Sequence, residues 1–261
     1  MIRALHTSAT GMSSQEANVN TISNNLANVN TTGFKKSRTE FDDLLYETVQ
    51  DAGARSSATT EYNVGTQVGS GSKVGATRKI HSMGSPVMTN NPYDLMINGD
   101  GFMGIISPSG ELKFTRDGSF NVDAQGNLVT RSGQKVFPGI TIPPTTLRLN
   151  ISEDGTVEAF MKDSVAPSVL GQIPVFTFVN PVGLRSEGSN LYATTSASGQ
   201  AIQQKGGENN AGILMQGAIE SSNVNVMNEM TDLIKAQRAY EMNSKVMGVA
   251  DQMLQTVNNI R

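Results

Sequence analysis

Apolar residues near both ends of the chain recur with the spacing of an α-helix. Near the C-terminus, positions three and four residues apart alternate without interruption, with one amide among them. They are Leu233, Ala236, Tyr240, Asn243, Met247, Ala250, Leu254 and Val257. A sustained alternation of this kind keeps one seam turned toward a partner helix, so it predicts a coiled coil. We expect a helix from Val226 to Asn259, N-capped by Asn225 and about 50 Å long at ~1.5 Å per residue.

The N-terminal pattern has the same spacing but contains one slip. Two quartets of residues are each spaced three, four and three apart, and they are out of phase with one another. These residues are Ile2, Leu5, Ala9 and Met12, followed by Val19, Ile22, Leu26 and Val29. Gly33 is expected to end this helix, because glycine tolerates left-handed backbone angles.

Between the two ends the apolar period becomes two, and Gly-containing turn signals mostly recur every 6–10 residues. Short strands at this spacing predict an antiparallel β domain. The strand-like runs are "DLMING", "FMGIIS", "ELKFTR", "SFNVD", "NLVTR", "TLRLNIS", "TVEAFM" and "IPVFTFV". The stretch Thr48–Lys73 is rich in Ser, Thr and Gly and lacks strong periodicity, so we interpret it as an extended arm.

These patterns predict an α+β fold, in which long N- and C-terminal helices pair as an antiparallel coiled coil and an antiparallel all-β domain is inserted between them. The predicted segments are an N-terminal core helix at 1–33, an arm at 34–75, the β domain at 76–216 and a C-terminal core helix at 217–261.

The C-terminal helix carries a second apolar stripe beside its seam. This stripe consists of Met227, Met230, Ile234, Val246, Val249, Met253 and Ile260. A helix packed once against a domain needs only one apolar stripe. We therefore hypothesise that each terminal helix has several neighbours and that both ends become helical only on assembly.

Several residues of the terminal helices have two readings from sequence. Gly11 and Gly248 indicate either close approach of another backbone or a harmless kink. Asn243 either fixes helix register or is solvated. Arg238 and Glu241 either make polar contacts between subunits or lie on a solvated surface.

Composition excludes several classes of protein. The chain of 261 residues has no Cys, so disulfides, thiolate metal ligands and Cys nucleophiles are excluded. The net charge of −3 and the lack of a basic cluster argue against nucleic-acid binding. No apolar run approaches ~20 residues, so membrane insertion is not expected. The N-terminus does not read as a cleavable signal peptide, because polar residues interrupt it.

Several short stretches resemble catalytic or ligand-binding motifs, but each is better explained as a structural feature. The glycines in Gly99–Gly104 match G-x-G-x-x-G, but strand-like sequence follows them, so a bend in a meander is expected instead of a dinucleotide site. Asn121, Asp123, Gln125 and Gly126 resemble half of an EF-hand loop, but a hairpin turn is expected. His6 is read as a packing or surface residue and His81 as a strand residue.

Paired carboxylates were the remaining candidate for catalysis. Asp94, Asp100, Glu111 and Asp117 cluster in sequence, but Asp100 and Asp117 adjoin glycines as in turns. We expect no enzymatic activity, catalytic residue, cofactor or metal.

Motifs at both ends resemble those of the bacterial flagellar axial proteins, the rod and hook group. The N-terminal "NNLANVNTTGFKKS" and the C-terminal "SNVNVMNEMTDLIKAQRAYEMNSK" are similar to that family's two terminal signatures. The internal "INGDGFM" and "FTRDGSFNVDAQGNLVT" are similar to its β-domain motifs. The length and the arm resemble the distal group of rod subunits, while a proximal rod subunit remains an alternative. A periplasmic glycan-binding or glycan-cleaving β protein is an alternative from another class.

The resemblance implies a non-enzymatic subunit that self-assembles into a helical tube and transmits torque. The implied partners are further copies of the chain, proximal rod proteins, the hook protein, surrounding ring proteins and the flagellar type III export apparatus. Export is expected without signal-peptide cleavage. The expected assembly-interface residues are Leu5, Met12, Val19, Ile22, Asn25, Leu26, Asn28, Val29, Gly33, Phe34, Leu233, Arg238, Tyr240, Asn243, Met247, Leu254 and Val257.

Overall fold

The structure of the protein is a computed structural model that describes residues 2–51, 53, 63–162 and 166–259. The chain divides into two compact units. The helical unit comprises Met1–Ala27, Ser37–Arg78 and Asn225–Arg261, and the β unit comprises Asn28–Lys36 and Lys79–Val224. Two terminal helices and a central antiparallel β region confirm the predicted α+β class.

Two long helices belong to the helical unit, α1 at Ile2–Ala27 and α2 at Val226–Asn259. The side-chain oxygen of Asn225 accepts hydrogen bonds from the backbone N–H groups of Met227 and Asn228, at 3.0 and 3.3 Å. These bonds satisfy donors that have no partner within the first helical turn. The predicted helix of 226–259 and its N-cap are therefore confirmed, but the segment predicted as the C-terminal core helix began too early, because residues 217–224 belong to the β unit.

Neither helix is long and apolar enough, over its described residues, to cross a membrane.

Gly33 does not end the first helix, which stops six residues earlier at Ala27. Its φ of 68° lies in the left-handed region, as predicted, but within a turn that belongs to the β unit. A Cβ atom on Gly33 would lie 2.6 Å from the backbone nitrogen of Asp117. The glycine is thus required by its backbone angle and by close packing against another chain segment.

Four strands lie in or near the segment predicted as an arm: β1 at Ser37–Asp43, β2 at Tyr46–Gln50, β3 at Thr66–Gly69 and β4 at Ser72–Lys79. β1 pairs with β4, and β2 pairs antiparallel with β3. Sequence periodicity missed them because β2, β3 and β4 are exposed along most of their length, so no buried face imposes alternation. Residue 52 and residues 54–62, in the middle of the arm, lie outside the described residues.

The β unit contains sixteen further strands within the described residues. They are β5 at Pro86–Met88, β6 at Leu95–Asn98, β7 at Phe102–Ile106, β8 at Leu112–Thr115, β9 at Phe120–Val122, β10 at Leu128–Thr130, β11 at Lys135–Val136, β12 at Thr146–Ile151, β13 at Thr156–Met161, β14 at Ser168–Gln172, β15 at Val175–Thr177, β16 at Arg185–Gly188, β17 at Leu191–Ala193, β18 at Ile202–Gln204, β19 at Ile213–Gln216 and β20 at Ala218–Glu220. A short 3₁₀ helix covers Pro181–Gly183.

The largest sheet of the β unit has nine strands. Its main path runs β16-β17-β8-β7-β11-β10-β9, and β15 joins β7 to β18. A three-stranded sheet has the order β12-β13-β14, while β6 pairs with β19 and β5 with β20. These ladders are antiparallel, so the predicted topology class is confirmed.

Each of the eight predicted strand-like runs contains a strand. The strands that sequence missed are mostly short or polar, such as β11 and β16, and carry too few apolar residues to alternate detectably.

Both hydrophobic clusters found among the described residues lie in the β unit. The larger cluster is aliphatic and draws on several sheets, including Leu95, Ile105, Ile151 and Leu214. The smaller cluster is aromatic, with Phe102, Phe114, Phe176 and Tyr192 among its members. The β unit therefore has a core of its own within the single chain.

Candidate assembly surface

The two helices contact one another and run in opposite directions. A Cβ atom on Gly11 of α1 would lie 2.8 Å from the side-chain nitrogen of Asn243 in α2. Fourteen residues further along α1, the side-chain nitrogen of Asn25 donates to the Glu229 carboxylate at 3.0 Å. Residue numbers thus rise on one helix as they fall on the other, which defines an antiparallel pair.

The interior of this helix pair consists mainly of small or polar side chains. On α1 the buried residues are Ser8, Ser14, Ile22 and Asn25, and on α2 they include Ala236 and Ala250. Ile22 is therefore the one large apolar side chain that is fully buried among the described residues of the two helices. Since hydrophobic stabilisation grows with apolar area buried, the fully buried positions contribute little, and the remaining apolar contact comes from half-buried side chains.

The predicted seam of α2 is the face turned toward this interior. Ala236 and Ala250 are buried, and Leu233, Asn243, Met247 and Leu254 are half-buried. Asn243 faces α1 at Gly11, so close approach of a side chain accounts for that glycine. Nothing lies within 4 Å of a Cβ atom on Gly248, so close approach does not account for that one.

A second apolar stripe lies on the opposite face of α2 and is exposed. At about 100° per residue, its members are centred roughly opposite the seam. We call it the outer stripe; it comprises Met227, Met230, Ile234, Met242, Val246, Val249 and Met253, each between 48% and 73% exposed. Ile260, which we expected to extend this stripe, lies outside the described residues. Helix α2 therefore has two apolar faces, of which one is covered by α1.

The other predicted interface residues are half-buried on α1 and exposed on α2. Leu5, Met12, Val19 and Leu26 are half-buried on α1. On α2, Arg238 is exposed, and Tyr240 and Val257 are 43% and 55% exposed.

Four predicted interface residues lie in the β unit instead of the helices. Asn28 and Val29 are half-buried, whereas Gly33 and Phe34 are buried. Like Ile22 and Asn25 of α1, Gly33 and Phe34 are thus buried within this chain.

A buried group of three charged side chains lies in the β unit, and sequence analysis missed its role. Glu220 accepts hydrogen bonds from the Lys35 Nζ at 2.5 Å and from the Gly84 backbone N–H at 2.8 Å. Its other oxygen lies 3.4 Å from Arg116 Nη1. All three side chains are at most 2% exposed. Burial lowers the pKa of Lys35, and the neighbouring Glu220 carboxylate opposes that shift.

Hydrogen bonds of this group connect separate segments of the β unit. Lys35 also donates to the carbonyl of Ser82, and Gly33 donates its backbone N–H to the Glu220 carbonyl. The side chain of Asn223 extends the same connections, since it accepts from the Lys36 N–H and donates to the carbonyl of Ile80. One feature of the sequence could have indicated a buried carboxylate: Glu220 is two residues after Ala218 in β20, so both side chains lie on the same, buried face.

His81 is not a strand residue as predicted, because β4 ends two residues earlier. Its ring packs edge-on against Phe102 and Tyr192, with centroids 5.5 and 5.7 Å away. Burial lowers the pKa of His81 to about 4, and the nearby cations Lys35 and Arg116 act in the same direction. His81 is therefore neutral at pH 7.

The remaining candidates for chemistry are turns and bends. Gly99 and Gly101 have φ of 119° and 133°, and strand β7 follows them, so the expected bend is confirmed. Asp123 accepts bonds from Asn127 and from the Gln125 N–H in the turn between β9 and β10, which confirms the hairpin. These bonds hold the pKa of Asp123 below its usual value. No cluster of potential metal ligands occurs among the described residues.

Three family models match the chain, and together they span both helices and the β region. The flagella basal body rod protein model matches residues 5–35, the D1 domain model of flagellar hook proteins FlgE/F/G matches 96–159, and the C-terminal model of flagellar basal body rod FlgEFG proteins matches 215–260.

Relatives that match over the full length of the chain are also flagellar rod proteins. The chain is 46% identical over 260 residues to the flagellar basal-body rod protein FlgG of Buchnera aphidicola from Schizaphis graminum, with both chains covered completely. It is 47% identical over 263 residues to the FlgG protein of Caulobacter vibrioides, and 36% identical over 266 residues to that of Bacillus subtilis, again over the whole of both chains. The chain belongs to this family of flagellar rod proteins.

Family membership confirms the predicted role as a structural subunit of the flagellar rod. The alternatives are not favoured, since FlgG proteins match the whole chain at 36–47% identity.

Proposed function

We propose that the chain is a subunit of the distal rod, in which copies polymerise into a rigid helical tube that crosses the periplasm and transmits torque to the hook. The helices would supply the contacts between copies. The observation that carries this proposal is the exposed outer stripe on the face of α2 opposite to α1. A heterologous contact that repeats without closing generates such a filament.

The outer stripe offers enough apolar surface to drive the association. Fully burying a large apolar side chain contributes ~1.5–3 kcal/mol. The seven side chains are roughly half buried already, so completing their burial would contribute about 5–10 kcal/mol per subunit by that measure. Helix α1 covers the opposite face of α2, so a neighbouring subunit would supply this contribution.

Within each subunit, α1 and α2 would form an antiparallel coiled coil. The 3–4 alternation of the α2 seam and its inward orientation support this geometry. Asn243, the one amide in the seam, would fix the register by its position against Gly11. Both ends would gain full helical stability only in the polymer, because their own interior contains so little apolar area.

The other partners follow from position in the rod. Proximal rod proteins would meet one end of the tube, the hook protein the other, and ring proteins its outside. The type III export apparatus would deliver the chain without cleavage of a signal peptide.

A charge placed on the outer stripe tests the proposal. Val249→Glu is expected to raise the critical concentration for polymerisation by more than about tenfold, because a carboxylate cannot be buried against apolar side chains without a large cost. Gln255→Glu adds the same charge to the same helix outside the stripe, and it should polymerise like the unmodified protein. Sedimentation and electron microscopy measure the critical concentration of each variant. Equal critical concentrations for the two variants would exclude the outer stripe as the subunit contact.

The arm is proposed to add contacts between neighbouring subunits and so to stiffen the tube. Deletion of residues 52–65 should therefore give a more flexible polymer. Unchanged bending stiffness in electron micrographs would count against this role.

A further inference from the structure

Four of the seven outer-stripe residues are methionines with accessible sulfur-bearing side chains. Met227, Met242, Met253 and Met230 are 73%, 60%, 50% and 48% exposed. The chain has no Cys, so thioethers are its only sulfur groups. Methionine is oxidised to the sulfoxide by peroxides, and exposure governs which residues react.

We propose that these four methionines form a reversible oxidation site that controls whether a subunit can join the polymer. The inference rests on the proposed function, since it requires the outer stripe to be the subunit contact. The oxidant is a peroxide or a hypohalous acid. With hydrogen peroxide, the sulfur lone pair attacks one oxygen, the O–O bond breaks, and that oxygen remains on sulfur. The other oxygen leaves as water, so the thioether is oxidised by two electrons and the peroxide is reduced.

Oxidation changes the stripe from apolar to polar at four places along the helix. A sulfoxide oxygen accepts hydrogen bonds, and burying it without a donor is unfavourable. The residues among the methionines, Ile234, Val246 and Val249, are aliphatic and donate no side-chain hydrogen bond. Because methionines lie at both ends of the stripe and at its middle, a neighbouring copy cannot cover the stripe without burying at least some sulfoxide oxygens.

The fold makes this site selective. Met96 and Met103, in strands of the β unit, are at most 1% exposed and are protected in the folded chain. Met83 and Met88 are exposed in the β unit, at 46% and 63%, and will also react. They lie outside the helical unit, so they provide a matched control for oxidation that does not touch the stripe.

The site would be hidden once the subunit is assembled, so oxidation would act on the unassembled chain. Methionine sulfoxide is restored by two reductases, one for each sulfur epimer. A blocked subunit could therefore be returned to the assembling pool without resynthesis.

The test compares polymerisation of the full-length protein before and after hydrogen peroxide, with peptide mass spectrometry to locate sulfoxides. Oxidised protein should show a critical concentration at least about tenfold higher, equivalent to ~1.4 kcal/mol, and both reductases together should restore it. A variant with Leu at positions 227, 230, 242 and 253 conserves side-chain volume, so it should polymerise normally and remain competent after peroxide. The Met83→Leu/Met88→Leu variant should lose polymerisation on oxidation as the unmodified protein does.

Three results would overturn the inference. The first is an oxidised protein, with sulfoxides mapped to the stripe, that polymerises at its original concentration. The second is a stripe-Leu variant that is equally sensitive to peroxide. The third is failure of untreated protein and of the untreated stripe-Leu variant to polymerise, and that result alone would also overturn the proposed function.

Discussion

Replacing Glu220 by Gln should destabilise the β unit strongly, although the two side chains have nearly the same shape. The substitution removes the one carboxylate that contacts both Lys35 and Arg116, which are 0% and 2% exposed. It leaves two buried cations without their counter-charge. Removing one partner of a buried ion pair costs about 3–5 kcal/mol, and the amide can still accept from Gly84 N–H, so the lower half of that range is expected.

Differential scanning calorimetry of the β-unit transition measures this effect. For a domain of this size, about 1 kcal/mol corresponds to roughly 2–4 °C in Tm, so the loss should be about 6–16 °C. The pH dependence gives an independent readout. Lys35 has a pKa below its ordinary 10.5 in the folded state, so the unfolded chain binds more protons and stability rises with pH in that window. Without the Glu220 carboxylate, burial acts on Lys35 unopposed, so the Lys35 pKa should fall further in the Gln variant and its deficit should shrink as pH approaches 10.5.

Glu187→Gln is the matched control. Glu187 pairs with both Lys113 and Arg185 at 2.6 Å, but its side chain is 22% exposed, against 1% for Glu220. Exposed pairs are worth about 0–1 kcal/mol each, so its Tm should change little. Equal Tm values for the two variants would refute the reasoning that burial, and not the number of ion pairs, sets the effect.

Three further substitutions test other parts of the structure. His81→Phe should make stability less dependent on acid pH. His81 has a pKa of about 4 in the folded protein against the ordinary 6.5, so the unmodified protein should lose on the order of 3 kcal/mol as pH falls from 6.5 to 4. This loss should appear as a falling Tm that the variant does not share. Gly33→Ala should cost more than Gly110→Ala, since both glycines have positive φ but only Gly33 lacks room for a Cβ; equal unfolding free energies in urea would contradict this. Asn225→Ala removes the N-cap of α2 and should raise the critical concentration about fivefold, as expected for ~1 kcal/mol; an unchanged value in sedimentation assays would rule out a contribution from the cap.

The helices and most strands of the core could be predicted because burial imposes a period on the sequence. The α2 seam alternates three and four residues without a slip, and its bounds and N-cap follow from that pattern. Runs such as "FMGIIS" alternate or are continuously apolar because sheets cover them.

The remaining elements have no such constraint. Strands β2 and β3 are exposed on both faces, and β16 is four residues of largely polar sequence. None of these three strands therefore carries a detectable period. The end of α1 was placed too late because Gly33 has the backbone angle of a helix C-cap but adopts it for close packing against residues 116 and 117.

The assembly surface was only partly accessible from sequence for a related reason. Two apolar stripes on α2 were visible, but periodicity does not say which of them faces α1. The expected interface combined the helix seams with residues of the N-terminal motif such as Asn25 and Phe34, which are buried within the chain. The partnership of Lys35, Arg116 and Glu220 joins residues up to 185 positions apart, which no local pattern encodes.

The central claim is that the helical ends are stabilised by neighbouring subunits more than by their own chain. Hydrogen–deuterium exchange on dilute monomer and on polymer tests it most directly. In the monomer, amides of residues 2–27 and 226–259 should exchange far faster than those of Leu95–Asn98 and Phe102–Ile106, and the polymer should protect all four segments. Monomer helices protected as strongly as those core strands, with no further slowing in the polymer, would contradict the account.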